Sequence, residues 1–272
     1  MSATEEKDYV LGTHKEELQR LGLQHFVWRQ HVLAAWDKAG IGYGDKVLDV
    51  GAGPGYASAD LAEIVGERGK VVAVERSANY LEALREMNAQ RGLNIQSHEV
   101  DLMEDEIPDA DFDFSWCRWV NSFVPNRKKL IEKVHQALKP GGIAIFHEYI
   151  DYEAFRFSPV SGPLEDFKWK VVNSWRESGG ETNVALQLME IIPNSGFDIV
   201  DTKSLSFSVS PADYMWQWPY SFIKINIKRL QELGLMSDEE AQLAMKDIEE
   251  LNRNPNAIFI TPTVLEIICK KK

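Results

Sequence analysis

The chain has 272 residues, 44% of them hydrophobic and 26% charged, which fits one large core with a covering subdomain and excludes a disulfide-dependent miniature fold or long disorder. A formal net charge of −12 opposes polyanions, and the basic runs Arg127-Lys128-Lys129 and Lys270-Lys271-Lys272 are too short to reverse it, so nucleic acid is not an expected partner. The polar, acidic start, the lack of any apolar run of roughly 20 residues, and only two cysteines, Cys117 and Cys269, imply a soluble, cytoplasmic chain with reduced thiols and no membrane partner.

Before Gly44, the residues Leu18, Leu21, Phe26, Val27, Leu33 and Trp36 mark amphipathic helix, read as a helical cover over residues 1–45. A strand Val47–Val50 then runs into Gly51-Ala52-Gly53-Pro54-Gly55. The following helix carries Ala57, Leu61, Ala62, Ile64 and Val65 and stops at Gly66. A second strand, Val71–Val74, closes at Glu75. Ser77 caps the next helix, and Gly92 ends it. Ile95–Val100 and Phe112–Trp116 read as the third and fourth strands. A helix bearing Leu130, Ile131, Val134 and Leu138 is expected to stop at Pro140-Gly141-Gly142, before a fifth strand over Ile143–Phe146.

Beyond this core of residues 46–150, residues 151–272 read as the C-terminal part of the same domain. Helices are expected over Pro163–Ser178 and Val184–Ile192, strands over Phe197–Lys203 and Ile258–Cys269, and a helical cap over about 211–256. Five strands alternating with helices imply a doubly wound, mostly parallel α/β sheet of about seven strands. In such sheets ligands sit beyond the carboxyl ends of the strands, so the glycine turn, Glu75, Asp101, Cys117 and His147 should converge there.

A dinucleotide fingerprint needs glycine at the sixth position of the turn, and Tyr56 stands there instead. A nicotinamide-dependent oxidoreductase is therefore disfavoured, and an adenosine-type ligand without pyrophosphate fits better. The run Val47-Leu48-Asp49-Val50-Gly51-Ala52-Gly53-Pro54-Gly55, with Leu138-Lys139-Pro140-Gly141-Gly142 downstream, resembles the class I S-adenosylmethionine-dependent methyltransferases, in particular small-molecule enzymes of the ubiquinone and menaquinone biosynthesis type. The likeness is good from Lys46 to Glu148. It extends weakly to Tyr9, Leu11-Gly12, Leu21 and Gln24, and to Gly196-Phe197. The resemblance makes Ile258–Cys269 the candidate for an antiparallel seventh strand.

It also implies S-adenosyl-L-methionine as cofactor, with Gly51, Ala52, Gly53 and Gly55 lining its methionine half, Asp49 near the ammonium and Glu75 on the ribose. Arg76 and Leu102 would flank the adenine, Asp101 would take its amine, and the Cys117 backbone would face the methionine end. Relatives often carry Glu-His shortly after the fourth strand, where this chain has Asn121-Ser122, so no base is assigned there. His147 and Glu148 are the best-placed residues for proton transfer, although an imidazole at a strand end also serves as a satisfied structural group.

The aromatic residues Trp116, Trp119, Tyr152, Phe155, Phe157, Tyr214, Trp216, Trp218, Tyr220 and Phe222 suit an apolar or ring-bearing small-molecule acceptor, or simply pack the cap. No metal is expected, since His14, His25, His31, His98, His135 and His147 lack zinc-ligand spacing. A binding module without turnover stays open beside the methyltransferase, and no pattern specifies an oligomeric state.

Overall fold

A computed structural model of the chain describes residues 15–272; Tyr9, Leu11 and Gly12 lie outside the described residues. One helix, α1 (Lys15–Ala39), precedes the alternating core: β1 (Lys46–Val50), α2 (Tyr56–Val65), β2 (Lys70–Glu75), α3 (Ala78–Arg91), β3 (Ile95–Glu99), β4 (Phe112–Arg118), α4 (Arg127–Ala137) and β5 (Leu138–Asp151). After it come β6 (Arg156–Ser158), α5 (Gly162–Glu177), α6 (Val184–Asn194), β7 (Phe197–Leu205), β8 (Ser208–Val209), α7 (Gln217–Glu232), α8 (Asp238–Arg253), β9 (Ile258–Ile260) and β10 (Thr263–Lys271).

Seven strands form one sheet in the order β3-β2-β1-β4-β5-β10-β7, with β1 to β5 mutually parallel and β10 antiparallel to β7. β10 also opposes β5: Cys269 Sγ meets the Ala144 carbonyl and Lys271 Nζ the Leu138 carbonyl, while Glu266 reaches His147. The central strands are buried almost end to end, as strands covered on both faces must be. Leu48, Val72, Phe146, Val134 and Leu188 share one core cluster.

Local chemistry sets several of the boundaries. Ser77 accepts from the Tyr80 N–H at the start of α3, and Gly92 in the left-handed region ends it. α8 opens on a full capping box between Ser237 and Glu240.

Three expectations need correction. Pro140-Gly141-Gly142 does not end a helix: α4 stops at Ala137, and β5 already pairs Leu138 with Phe112, slipping register before Phe114 meets Ile143. Gly141, at φ +76, lies inside this irregular stretch. The fifth strand also continues to Asp151, so His147 and Glu148 lie within it rather than after it. Finally, Ile258–Cys269 is two strands in two sheets. β9 joins β6 and β8 in a small antiparallel sheet, and β10 enters the main one. Thr261, between them, exchanges hydrogen bonds with Phe207, which ends the β9 pairing and frees the chain to change sheets.

The chain divides into two compact units. One comprises residues up to Trp28 with 151–182 and 206–263; the other holds 29–150, 183–205 and 264–272. The first is built on aromatic residues. Trp28 packs on Trp218 at 5.0 Å, Phe259 on Phe157 and Phe155 at 4.8 and 5.0 Å, and Tyr152 on Trp175 at 5.3 Å between centroids. Such pairs are worth about 0.5–1.5 kcal/mol each beyond their buried area. Tyr152, Phe155, Phe157, Trp216 and Trp218 are therefore core residues of this unit, whereas Tyr214 is exposed. The second unit contains the seven-stranded sheet and all the candidate site residues.

Candidate functional site

The strand registers bring the expected residues to one edge of the sheet. Val50 opposes Val74 and Cys117, Glu75 opposes Glu99, and Arg118 opposes His147. Gly51, Glu75, Glu99 and Arg118 consequently stand at one level. The Val100 N–H donates to the Glu75 carbonyl, which sets Asp101 beside the tip of β2.

The turn after β1 requires glycine at 51, 53 and 55, all with positive φ, but for different reasons. A Cβ on Gly51 would meet Val120 Cγ2 at 2.4 Å, and one on Gly55 would meet Leu84 Cγ at 2.5 Å. These two permit close packing. A Cβ on Gly53 would meet no atom within 4 Å, so its bare face borders free space. The backbone donors of the turn are already engaged: the N–H groups of Gly51 and Ala52 go to the Val74 carbonyl, that of Gly53 to Glu75 Oε2 at 2.9 Å, and that of Gly55 to the Ala52 carbonyl. A pyrophosphate cradle needs such donors free and convergent. This turn offers a shaped surface and neighbouring carboxylates instead.

Glu75 is buried, and its Oε1 accepts from the Arg76 and Ser77 N–H groups at 2.9 Å each. Three donors occupy three of the roughly four acceptor positions of a carboxylate, which leaves one on Oε2 beside Gly53. Burial raises its pKa, against the pull of those hydrogen bonds. Asp49 lies beneath the turn with its Oδ2 accepting from Ser58 Oγ at 2.5 Å, and burial pushes its pKa up to about 6. Asp101 Oδ1 accepts from the Met103 N–H, and the Asp105 carboxylate accepts from the Asp101 N–H, so the loop after β3 is tightly wound. Leu102 packs into the main core cluster, while Arg76 is exposed.

Cys117 lies inside β4, paired with Val50 and Phe146, and burial raises its thiol pKa far above the ordinary range. The first residue past β4 is Trp119, at φ +55, whose N–H donates to the His147 carbonyl. Its ring stacks on Tyr149 at 5.4 Å.

His147 and Glu148 are both wholly buried. His147 Nε2 lies 3.1 Å from Glu266 Oε2 and the ring meets Trp116 edge-on at 4.8 Å; burial lowers its pKa, which favours the neutral ring. Glu148 Oε1 accepts from the N–H groups of Val120 and Asn121 and from Asn121 Nδ2, and Oε2 accepts from Ser122 Oγ. Burial raises its pKa to about 7. Asn121-Ser122 is thus the anchor of a buried carboxylate.

Comparison with known proteins finds a methyltransferase domain. Residues 47–142 match the methyltransferase domain model, and the chain is 29% identical over 204 residues to the demethylmenaquinone methyltransferase of Geobacillus stearothermophilus, covering 69% of this chain and 84% of that one. The chain is an S-adenosylmethionine-dependent methyltransferase, similar to the class I enzymes.

Solved structures share the fold of this methyltransferase. A Bacillus halodurans protein superposes with a TM-score of 0.59 at 16% identity, covering 88% of this chain and 97% of that one. A Haemonchus contortus phosphoethanolamine N-methyltransferase solved with S-adenosyl-L-methionine superposes with a TM-score of 0.57 at 19% identity, covering 90% of this chain and 52% of that one. S-adenosylmethionine is the cofactor of this methyltransferase. Among the described residues, no helix is long and apolar enough to cross a membrane. Arg118, the last residue of β4, was not among the expected site residues; its guanidinium lies 5.0 Å from the Trp119 ring centroid and 5.9 Å from that of Trp116.

Proposed function

We propose that this methyltransferase transfers a methyl group by in-line displacement to a small, apolar, ring-bearing acceptor, with the donor seated against the open face of the turn after β1. The free space at Gly53 carries the reading, because it is the one place along the turn where a ligand meets bare backbone. The residues fit the donor chemically. Gly51, Ala52, Gly53 and Gly55 shape the surface, Asp49 balances the ammonium, and Glu75 has one acceptor position for a ribose hydroxyl. Asp101, Arg76 and Leu102 border the adenine, and the Cys117 backbone fixes the neighbouring strand.

The bound donor supplies an electrophilic methyl carbon on a sulfonium. The protein supplies alignment and exclusion of water. We assign His147 and Glu148 to positioning rather than proton transfer, since both side chains are enclosed and bonded inside the sheet unit. The acceptor class is supported by the Trp119–Tyr149 stack beside β4 and by the quinone named as substrate of the Geobacillus relative. The net charge of −12 speaks against nucleic acid as acceptor, and two buried, unbridged thiols suit a cytoplasmic location.

The test is release of S-adenosylhomocysteine from saturating donor across a panel of quinols, phenols and small polar amines. Turnover confined to the apolar ring acceptors is expected. Turnover confined to the amines would refute the acceptor class, and confirmed donor binding without turnover on any acceptor would favour a binding module.

A further inference from the structure

We propose that the aromatic unit carries a small-molecule site of its own, a cavity at the start of α5 that takes a short-chain aliphatic monocarboxylate; this does not rest on the donor site. β6 leads directly into α5, so the parts of the cavity come from one short stretch of chain. Phe155, Phe157, Val160 and Leu164 form its apolar lining, Arg156, Ser161 and Glu165 its polar part, and its volume is about 110 Å³. The lining is built in advance of any ligand. Phe155 and Phe157 are both held against Phe259, and the Leu164 N–H donates to Ser161 Oγ at 3.1 Å. An apolar cavity of about 150 Å³ accepts benzene, so this one suits an unbranched tail of about four carbons.

The charges around the cavity select the head group. The nearby acids are already committed. Glu165 Oε1 lies 2.5 Å from the Nζ of buried Lys168 and accepts from Trp169 Nε1 at 3.2 Å, while Asp247 Oδ2 accepts from Ser161 Oγ at 2.6 Å. Lys168 also donates to the Phe155 carbonyl at 3.4 Å, which keeps a buried ammonium beside the wall of the cavity. α5 begins here with Ser161 as its N-cap, so the positive end of the helix dipole adds to the same local potential. Arg156 is exposed, and among the described residues no acid pairs with it. It is the one lining charge left to engage a ligand, and a planar guanidinium matches a carboxylate with two parallel hydrogen bonds.

The experiment titrates the full chain at neutral pH with pentanoate, with pentanamide, which keeps the tail and loses the charge, and with acetate, which keeps the charge and loses the tail, following each by ligand-observed magnetic resonance. Pentanoate should bind with a Kd of about 1 mM, and the other two at least about tenfold more weakly. Arg156→Gln should weaken pentanoate by about tenfold, to the level of the amide, and Val160→Glu, which sets a like charge on the lining, by about threefold or more. Both positions are exposed, so both variants should fold as wild type does. S-adenosylmethionine affinity, measured by calorimetry on the same samples, should be unmoved. No binding of pentanoate by wild type up to about 10 mM would overturn the proposal. So would equal binding of pentanoate with its amide or with acetate, an unmoved pentanoate affinity in Arg156→Gln, or a parallel loss of donor affinity in both variants.

Discussion

Trp119 at φ +55 adopts a conformation that costs a non-glycine residue about 1–3 kcal/mol, and it is held there by bonds on both sides. Its own N–H is fixed by the His147 carbonyl, and the next two N–H groups are fixed by the Glu148 carboxylate. Glu148 has its pKa raised to about 7, so the folded state holds a proton that the unfolded chain releases above the ordinary carboxylate range. Its contribution to stability is therefore greatest at acid pH and declines as pH rises from about 4.5 to 7, by about 3 kcal/mol in all. Glu148→Gln keeps an acceptor for the three nitrogen donors and offers its amide to Ser122. It should match wild type near pH 5 and be the more stable protein at pH 8. Glu148→Ala strands those donors and should lose about 2–4 kcal/mol at both pH values. Chemical denaturation at the two pH values checks this, and a glutamine variant clearly weaker than wild type at pH 8 would show that the charge itself is required. The sequence marked Glu148 as chemically important but not its partners, because Val120 to Ser122 meet it only through pairing of β4 with β5.

At the scale of elements, the antiparallel insertion of β10 beside β5 is tied by a buried pair of polar side chains, His147 with Glu266. His147→Ala would leave the Glu266 carboxyl buried without that partner, at a cost of about 1–3 kcal/mol. Replacing both by leucine should cost less than the two single changes summed, and donor affinity should be unmoved in every variant that folds. A double-mutant cycle read by denaturation measures the coupling. Loss of turnover in His147→Ala with stability intact would return that histidine to catalysis. Helix ends such as Ser77 and Gly92 were legible because capping is local chemistry. The two- and three-residue strands β8, β6 and β9 were not, since so short a run has no readable period and exists only through its partners.

At the scale of the whole molecule, the chain leaves its sheet twice, over 151–182 and 206–263, and those excursions join the first half of α1 in a unit of their own. A linear reading placed the helices of the second excursion well. It could not show that Phe155 and Phe157 belong with Phe259, a hundred residues away, and so it left their aromatic side chains open as acceptor contacts. The alignment of the strand ends, in contrast, was readable as far as Asp101, because consecutive parallel strands with short crossovers force their carboxyl ends into line.

The most direct test of the donor site at those ends is calorimetric titration of S-adenosylmethionine into wild-type protein and Gly53→Arg, with thermal melts of both in the absence of ligand. Wild type should bind with micromolar affinity, and the variant should lose at least about 100-fold, or roughly 2.7 kcal/mol, as the added side chain fills the free space beside the turn. Its melting temperature should fall only by the few degrees that a strained φ of +54 implies. A folded Gly53→Arg protein that binds the donor as tightly as wild type would contradict the site.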